Sequence, residues 1–250
     1  YSMTRDETLE ETTKRYMGWY YSQMEVVYAP SRATADELEM LGVDPKKIVI
    51  YPRGVDCNRF HPDKTPRRDK KRTTLIYVGR VSKEKNLDVL AEAFAKACAR
   101  INGLNLKIVG DGPYREEMRK VCSGLDVDFP GELGGDDLVR AYGGSDLFVF
   151  PSGTDTFGNV VLEAQASSIP VIVTDRGGPR ENIIHGETGV VVPVDDPEHL
   201  AREIVNLAGD PDRLKKMGRK AREYARARSF DRAFLDTWKI FEEKTLNKVA

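Results

Sequence analysis

The sequence of 250 residues is short of several things, and each shortage excludes a class of protein. Its three cysteines (Cys57, Cys98 and Cys122) are an odd number with no CxxC spacing. That argues against a disulfide framework and a zinc site, and it fits a reducing compartment. Three histidines (His61, His185 and His199) are scattered, and nothing spaces them as ligands or as the base of a nucleophile. Net charge is nearly absent, with 39 Lys and Arg against 40 Asp and Glu, which argues against a dedicated nucleic-acid binder but leaves local basic patches open. No apolar run approaches ~18 residues, so no transmembrane helix is expected. Residues 1–15 are polar and acidic and do not read as a signal peptide. The expected location is therefore cytoplasmic. What is present is 40% hydrophobic content with unperiodic Gly and Pro, the composition of a globular chain with a real core.

From residue 73 onward, short apolar runs alternate with helical patterns. The predicted strands are Thr74–Gly79, Leu104–Gly110, Val127–Pro130, Asp146–Pro151, Pro170–Thr174 and Thr188–Pro193. Most are continuously apolar, as strands covered on both faces are. The predicted helices are Leu87–Ile101, Pro113–Cys122, Asp136–Gly143, Asn159–Ser167, Pro179–Ile184 and Pro197–Leu207, with Pro113, Pro179 and Pro197 in first-turn positions. This alternation predicts an α/β fold with a doubly wound parallel sheet, Rossmann-like. Residues 1–62 differ: an aromatic-rich helix at Thr8–Met24, strands at Glu25–Ala29 and Ile48–Tyr51, and a helix at Ala33–Leu41. That is too little for a stable αβ sheet of its own. A charged linker (63–72) joins the two parts, the sheet domain runs over 73–228, and a last helix covers Phe230–Val249.

Three clusters carry chemistry. Gly79 and Arg80 close the first strand of the sheet, and Lys85 follows five residues after Arg80. The carboxyl edge of a parallel sheet is where α/β ligands bind, so the two cations read as a diphosphate pair or as two surface cations, and spacing leaves both open. Gly110-Asp111-Gly112 follows a strand, but position 115 is Arg, so as a dinucleotide fingerprint it is weak and a tight turn is the better reading. The third cluster runs from Pro151 to Ala164, where a strand ends, a polar loop carries Asp155, and a helix opens near Gly158 with Glu163 in it. The two carboxylates fall on different elements, and both could face the cleft. The helix start between them suits a phosphate. Glu163 stands among Val160, Val161, Leu162 and Ala164, and an acid in an apolar stretch needs a partner.

With these residues in view, the run from Gly79 to Phe230 resembles the C-terminal domain of a family 4 glycosyltransferase, a retaining enzyme of the GT-B fold. The matching pieces are GRVSKEKN, IVGDGP, PGELGGDDLVRAYGGSDLFVFPS, the Pro151–Ala164 segment and IPVIVTDRGGPRENIIHGETGVVVP. Upstream, APSRATADEL and PRGVDCNRFHP resemble the end of that family's N-terminal domain and its hinge. The resemblance implies that Arg80 and Lys85 hold the diphosphate of a UDP- or GDP-sugar donor. It implies that Glu163, the second acid of the family's E-x7-E pattern, binds the donor ribose. Asp155 stands where the first Glu is usual, the acid that meets the transferred sugar, and its reach is one methylene shorter. Phe157, Gly158, Asn159 and Val160 match the loop whose amides face the donor, and Leu133, after Gly131, matches the position beside the base. Gly79, Gly110 and Gly112 belong to the same donor edge. No metal is expected to be needed for donor binding.

On that resemblance the chain is expected to be the donor-binding portion of a hexosyltransferase of mannosyl or glucosyl type, acting on a glycan or lipid acceptor, with most of the N-terminal acceptor domain missing. Phe230, Phe234, Trp238 and Phe241 of the last helix would then be orphaned or dock on residues 8–24. The other readings are a nucleotide-sugar-binding module without activity and a GT-B-fold epimerase or phosphorylase; a dehydrogenase ranks last. Two further features stand apart. Arg213–Arg228 carries eight cations and one acid, favoured as a solvated helix face over a contact with an anionic membrane at its inner surface. Asp126 and Asp128 invite a metal, but their place on a strand favours a plain strand edge.

Overall fold

The computed structural model describes residues 7–64 and 72–246. Most of the predicted linker with its cations, the first six residues and the end of the last predicted helix lie outside the described residues. The first part of the chain forms α1 (Glu7–Ser22), β1 (Val27–Ala29), α2 (Arg32–Met40) and β2 (Ile48–Ile50). β1 and β2 pair in parallel over a small core of Val27, Ala29, Ala35, Leu38 and Val43. This pair leans on the larger domain through contacts described below.

The larger domain follows with β3 (Thr73–Val78), α3 (Leu87–Cys98), β4 (Leu104–Val109), α4 (Arg115–Val121), β5 (Val127–Gly131), α5 (Gly135–Gly143), β6 (Leu147–Phe150), α6 (Asn159–Ala166), β7 (Val171–Thr174), β8 (Gly189–Val192), α7 (Pro197–Ala208), α8 (Pro211–Arg226) and α9 (Phe230–Leu246). All neighbouring strands of its sheet are parallel, in the order β5-β4-β3-β6-β7-β8. Counted from the sheet's own first strand this is 3-2-1-4-5-6, the doubly wound order. β6 and β7 are buried at every position, which is why their sequences run apolar without alternation. Right-handed crossovers place α3 and α4 on one face and α5 and α6 on the other. α7 packs on α3 and α8 on α6. Winding changes direction between β3 and β6, and the carboxyl ends of these two strands therefore open a crevice.

Two predicted helix starts differ. The segment from Pro179 is a 3-10 turn, Pro179–Asn182, and not an α-helix. It stops at Asn182, whose amide turns inward to donate to the Phe157 carbonyl at 2.6 Å while its own carbonyl accepts from Gln165 Nε2 at 3.0 Å. Pro113 precedes the cap of α4 and lies outside its first turn, because the Tyr114 N–H is drawn to the Val81 carbonyl at 3.1 Å. At the other end, the Val55 N–H donates to the Arg228 carbonyl at 3.0 Å and the Phe230 N–H to the Val55 carbonyl at 3.1 Å. Arg222 donates to the carbonyls of Phe60, Ala166 and Cys57, so α8 clasps the segment leading into the sheet. Phe230, Phe234 and Trp238 are exposed, and Phe241 packs against Tyr28 with ring centroids 5.1 Å apart.

Candidate functional site

At the end of β3 the buried Tyr77 stacks on Phe150 of β6 and donates its hydroxyl to the Arg80 carbonyl at 2.9 Å. Burial pushes the Tyr77 phenol up, so it stays a neutral donor. Glycine at 79 leaves room for that hydroxyl, which would lie 2.8 Å from a Cβ there. Arg80 is thereby set at the rim of a cavity of about 430 Å³ between the ends of β3 and β6, lined also by Gly79, Lys85, Asp155 and residues 156–160. Glu84 lines it too, held below the usual carboxylate range first by the Ser82 hydroxyl.

The expected cation pair is divided. Lys85 Nζ lies 2.8 Å from Asp155 Oδ2, both side chains being largely buried, and Ser152 Oγ donates to the same oxygen at 2.6 Å. Arg80 is exposed and has no ion pair among the described residues. Lys85 is committed to the acid beside it, while Arg80 keeps no such close ion pair and its charge acts on Glu84 across the cavity.

The loop after β6 is pinned through three successive carbonyls. Asp155 O accepts from the Gly178 N–H at 2.8 Å, Thr156 O from Ser31 Oγ at 2.5 Å, and Phe157 O from Asn182 Nδ2 at 2.6 Å. The N–H groups of Thr156, Phe157 and Gly158 have no acceptor among the described residues, and all three residues line the cavity. Gly158 then turns the chain into α6 with φ +79°, a left-handed conformation, and a Cβ there would stand 2.9 Å from Pro179 Cγ. Ser31 is the cap of α2, and the Glu181 carboxylate accepts from the first two amides of that helix, Arg32 and Ala33, at 2.7 and 2.8 Å. The β1–β2 unit is thus fastened to the loop that carries Asp155.

Glu163 does not share the cavity of Asp155. It lines a neighbouring one of about 500 Å³ between α6, α9 and the segment 51–56, and Asn159 and Arg53 line both. Its partner is Tyr142 of α5, fully buried, whose hydroxyl donates to Glu163 Oε2 at 2.9 Å. Burial raises the Glu163 carboxyl above its ordinary range, against the opposing pull of Tyr142 and Arg59. Gly110, Gly112, Gly131 and Leu133 line neither cavity. Gly110 lets the ends of three strands meet: its N–H donates to Gly131 O at 2.8 Å, and a Cβ on it would fall 1.9 Å from Gly79 O. Gly112 packs closely on Val81, where a Cβ would fall 2.3 Å from the carbonyl oxygen, and Leu133 is half-buried against the core. Arg72 pairs with Asp126, Asp128 stands exposed on the edge strand β5, and His185 Nδ1 accepts from the Val191 N–H at 3.0 Å. Sequence reasoning missed Arg53, Tyr142, Ser31 and Asn182. Only Ser31 carried a local signal, as a helix cap, and its contact with Thr156 spans 125 positions.

Residues 59–224 match the family described as glycosyl transferases group 1, and residues 4–59 match glycosyltransferase family 4. A sulfoquinovosyl transferase of Arabidopsis thaliana is 30% identical over 80% of this chain and 41% of its own length. A GDP-mannose-dependent alpha-(1-6)-phosphatidylinositol monomannoside mannosyltransferase of Mycobacterium tuberculosis is 34% identical over 72% of this chain and 51% of its own. The chain thus spans about half the length of the curated relatives it matches. In fold it is similar to the Anabaena protein HepE crystallised with UDP and glucose, with a TM-score of 0.81 and 19% identity over 94% of this chain and 67% of that one.

Proposed function

The chain belongs to the glycosyl transferases group 1 family, and from that premise we propose that it is the donor-binding portion of a retaining hexosyltransferase. The donor is a UDP- or GDP-sugar of mannosyl or glucosyl type and the acceptor a glycan or lipid; relatives that use GDP-mannose, one of them on a phosphatidylinositol mannoside, support this choice. One observation carries the reading: the switch-point cavity combines Arg80, Lys85 and the unclaimed amides of residues 156–158 at the rim of the sheet. In the proposed reaction the sugar–phosphate bond breaks, the leaving diphosphate takes the electron pair, and Arg80, Lys85 and these amides stabilise its charge. The sugar, cationic for that moment, lies beside Asp155; the acceptor oxygen attacks from the same side as the departing phosphate, and the acceptor hydroxyl's proton passes to the phosphate oxygen that left. Glu163 accepts the ribose hydroxyls from the neighbouring cavity.

Donor binding needs no metal in this reading, because the fixed cations meet the diphosphate directly. No described helix is long and apolar enough to cross a membrane. The exposed Arg213, Lys215, Lys216, Arg219 and Arg226 of α8 are proposed to approach an anionic lipid surface.

Calorimetry with UDP and GDP tests the site. One of the two is expected to bind, with or without EDTA, and Lys85→Ala and Glu163→Ala are each expected to weaken it. No binding of either nucleotide, or unchanged affinity in both variants, would overturn the assignment.

A further inference from the structure

Arg53 precedes the sheet domain, in the segment that leads out of β2, and nothing above gives it a role. Its guanidinium carbon lies over two rings, 5.5 Å from the Phe157 centroid and 5.8 Å from that of Tyr51. It is half-buried and has no hydrogen bond or ion pair among the described residues. It lines the cavity of Arg80 and Lys85 and also the one that holds Glu163. The backbone that carries it is fixed: Val55, two residues on, exchanges hydrogen bonds with Arg228 and Phe230, and Gly54 lies so close to Ser229 that a Cβ would stand 2.5 Å from its carbonyl oxygen.

An arginine resting on aromatic rings keeps its N–H donors unspent, and a guanidinium can meet phosphate oxygens in pairs. A nucleoside diphosphate brings at least two negative charges, while Lys85 is already balanced by Asp155. That leaves Arg80, among the described residues, as the one unpaired cation that the sheet domain brings to their cavity, beside the neutral amides of residues 156–158. We propose that Arg53 is the third diphosphate-binding cation of the donor site. The inference rests on the donor-site reading above, and it completes that site from a segment outside the sheet domain. It also makes the aromatic rings functional: Phe157 orients a cation while its neighbours supply amides.

The test is titration of UDP and GDP, each beside its free nucleoside, with the full chain and with Arg53→Gln, Arg53→Met and Arg53→Lys. Met keeps the packing against the rings without charge, and unchanged melting shows which variants are folded. Gln and Met are expected to weaken the diphosphate about tenfold or more, with nucleoside affinity held within about twofold, and Lys to restore part of the loss. Equal diphosphate affinity in a folded Gln or Met variant overturns the inference, as does equal loss for nucleoside and diphosphate. Arg80→Gln and Lys85→Gln run in parallel. If these weaken UDP or GDP and the Arg53 variants do not, Arg53 alone is misassigned. If none of the three positions matters, the donor-site reading itself fails.

Discussion

Asp155 and Glu163 are eight residues apart, and their surroundings have almost nothing in common. Asp155 sits in a polar loop with a cation and a hydroxyl on one oxygen. Glu163 sits on a helix, in apolar surroundings, with a phenol as its hydrogen-bond donor. The left-handed Gly158 between them sends the chain from one cavity to the next. An acid paired with a cation costs little until a ligand competes for that partner. An acid buried with one neutral donor carries a desolvation cost that a proton or further hydrogen-bond donors would relieve.

The strongest way to break this contrast is at the turn that creates it. Gly158→Val places a β-branched residue at φ +79° against Pro179. The loss is expected to be about 3 kcal/mol or more in urea unfolding, with nucleotide affinity abolished. Next in size is the ion pair. Lys85→Ala removes a cation and leaves the Asp155 charge facing the diphosphate, so UDP or GDP affinity should fall by about 2 kcal/mol, roughly thirtyfold. Asp155→Asn should act in the opposite direction, releasing Lys85 and tightening the free nucleoside diphosphate. If both variants bind more weakly, the pair does not compete with the ligand and the contrast is wrong on the Asp155 side.

A smaller change loosens one acid's surroundings and spares the other's. Ser31→Ala removes the cap of α2 and the donor to Thr156 O. Stability should drop by about 1 kcal/mol, a fall in Tm of about 2–4 °C. Nucleotide affinity should weaken with it, since the loop of Asp155 loses one of its three anchors, while Asn182 still holds Phe157 O at the entrance to α6. Unchanged nucleotide affinity at lowered Tm would make Ser31 a cap and nothing more.

How far the chain could be read from its residues follows the same division. The sheet was legible because strands buried on both faces must run apolar, and the predicted strands match β3 to β8 within a residue or two. The loop of Asp155 was legible too, because turn residues and a helix start are local signals. The segment at Pro179 was misread because proline at a first turn says where a helix begins and not how long it lasts; Asn182 ends it by turning to Phe157. That Asp155 and Glu163 line two adjoining cavities was not legible, because spacing along the chain does not show which wall of a turn a side chain joins. Tyr142 and Arg53 were invisible for a related reason. Each acts on a residue from another element, Tyr142 on Glu163 and Arg53 beside Phe157, and no neighbour in sequence announces it.

The finest test lies on the Glu163 side and turns on a sign. Its folded carboxyl is raised above the ordinary 4.5, first by burial. Between that ordinary value and the raised one the folded chain binds more protons than the unfolded chain, so this group's contribution to stability falls as pH rises through the window. At neutral pH the charged form is therefore a small liability. Glu163→Gln removes the charge and keeps an oxygen for the Tyr142 hydroxyl. The variant should melt about a degree or two higher than the parent at neutral pH, and the difference should shrink as pH falls and vanish below about 4.5. The same substitution should weaken UDP or GDP, since an amide accepts ribose hydroxyls less strongly than a carboxylate. A gain in stability joined to a loss in affinity is what a residue kept for its ligand produces. If Glu163→Gln instead lowers Tm at neutral pH, the carboxylate is already satisfied within the fold, and the difference between the two acids reduces to one of position alone.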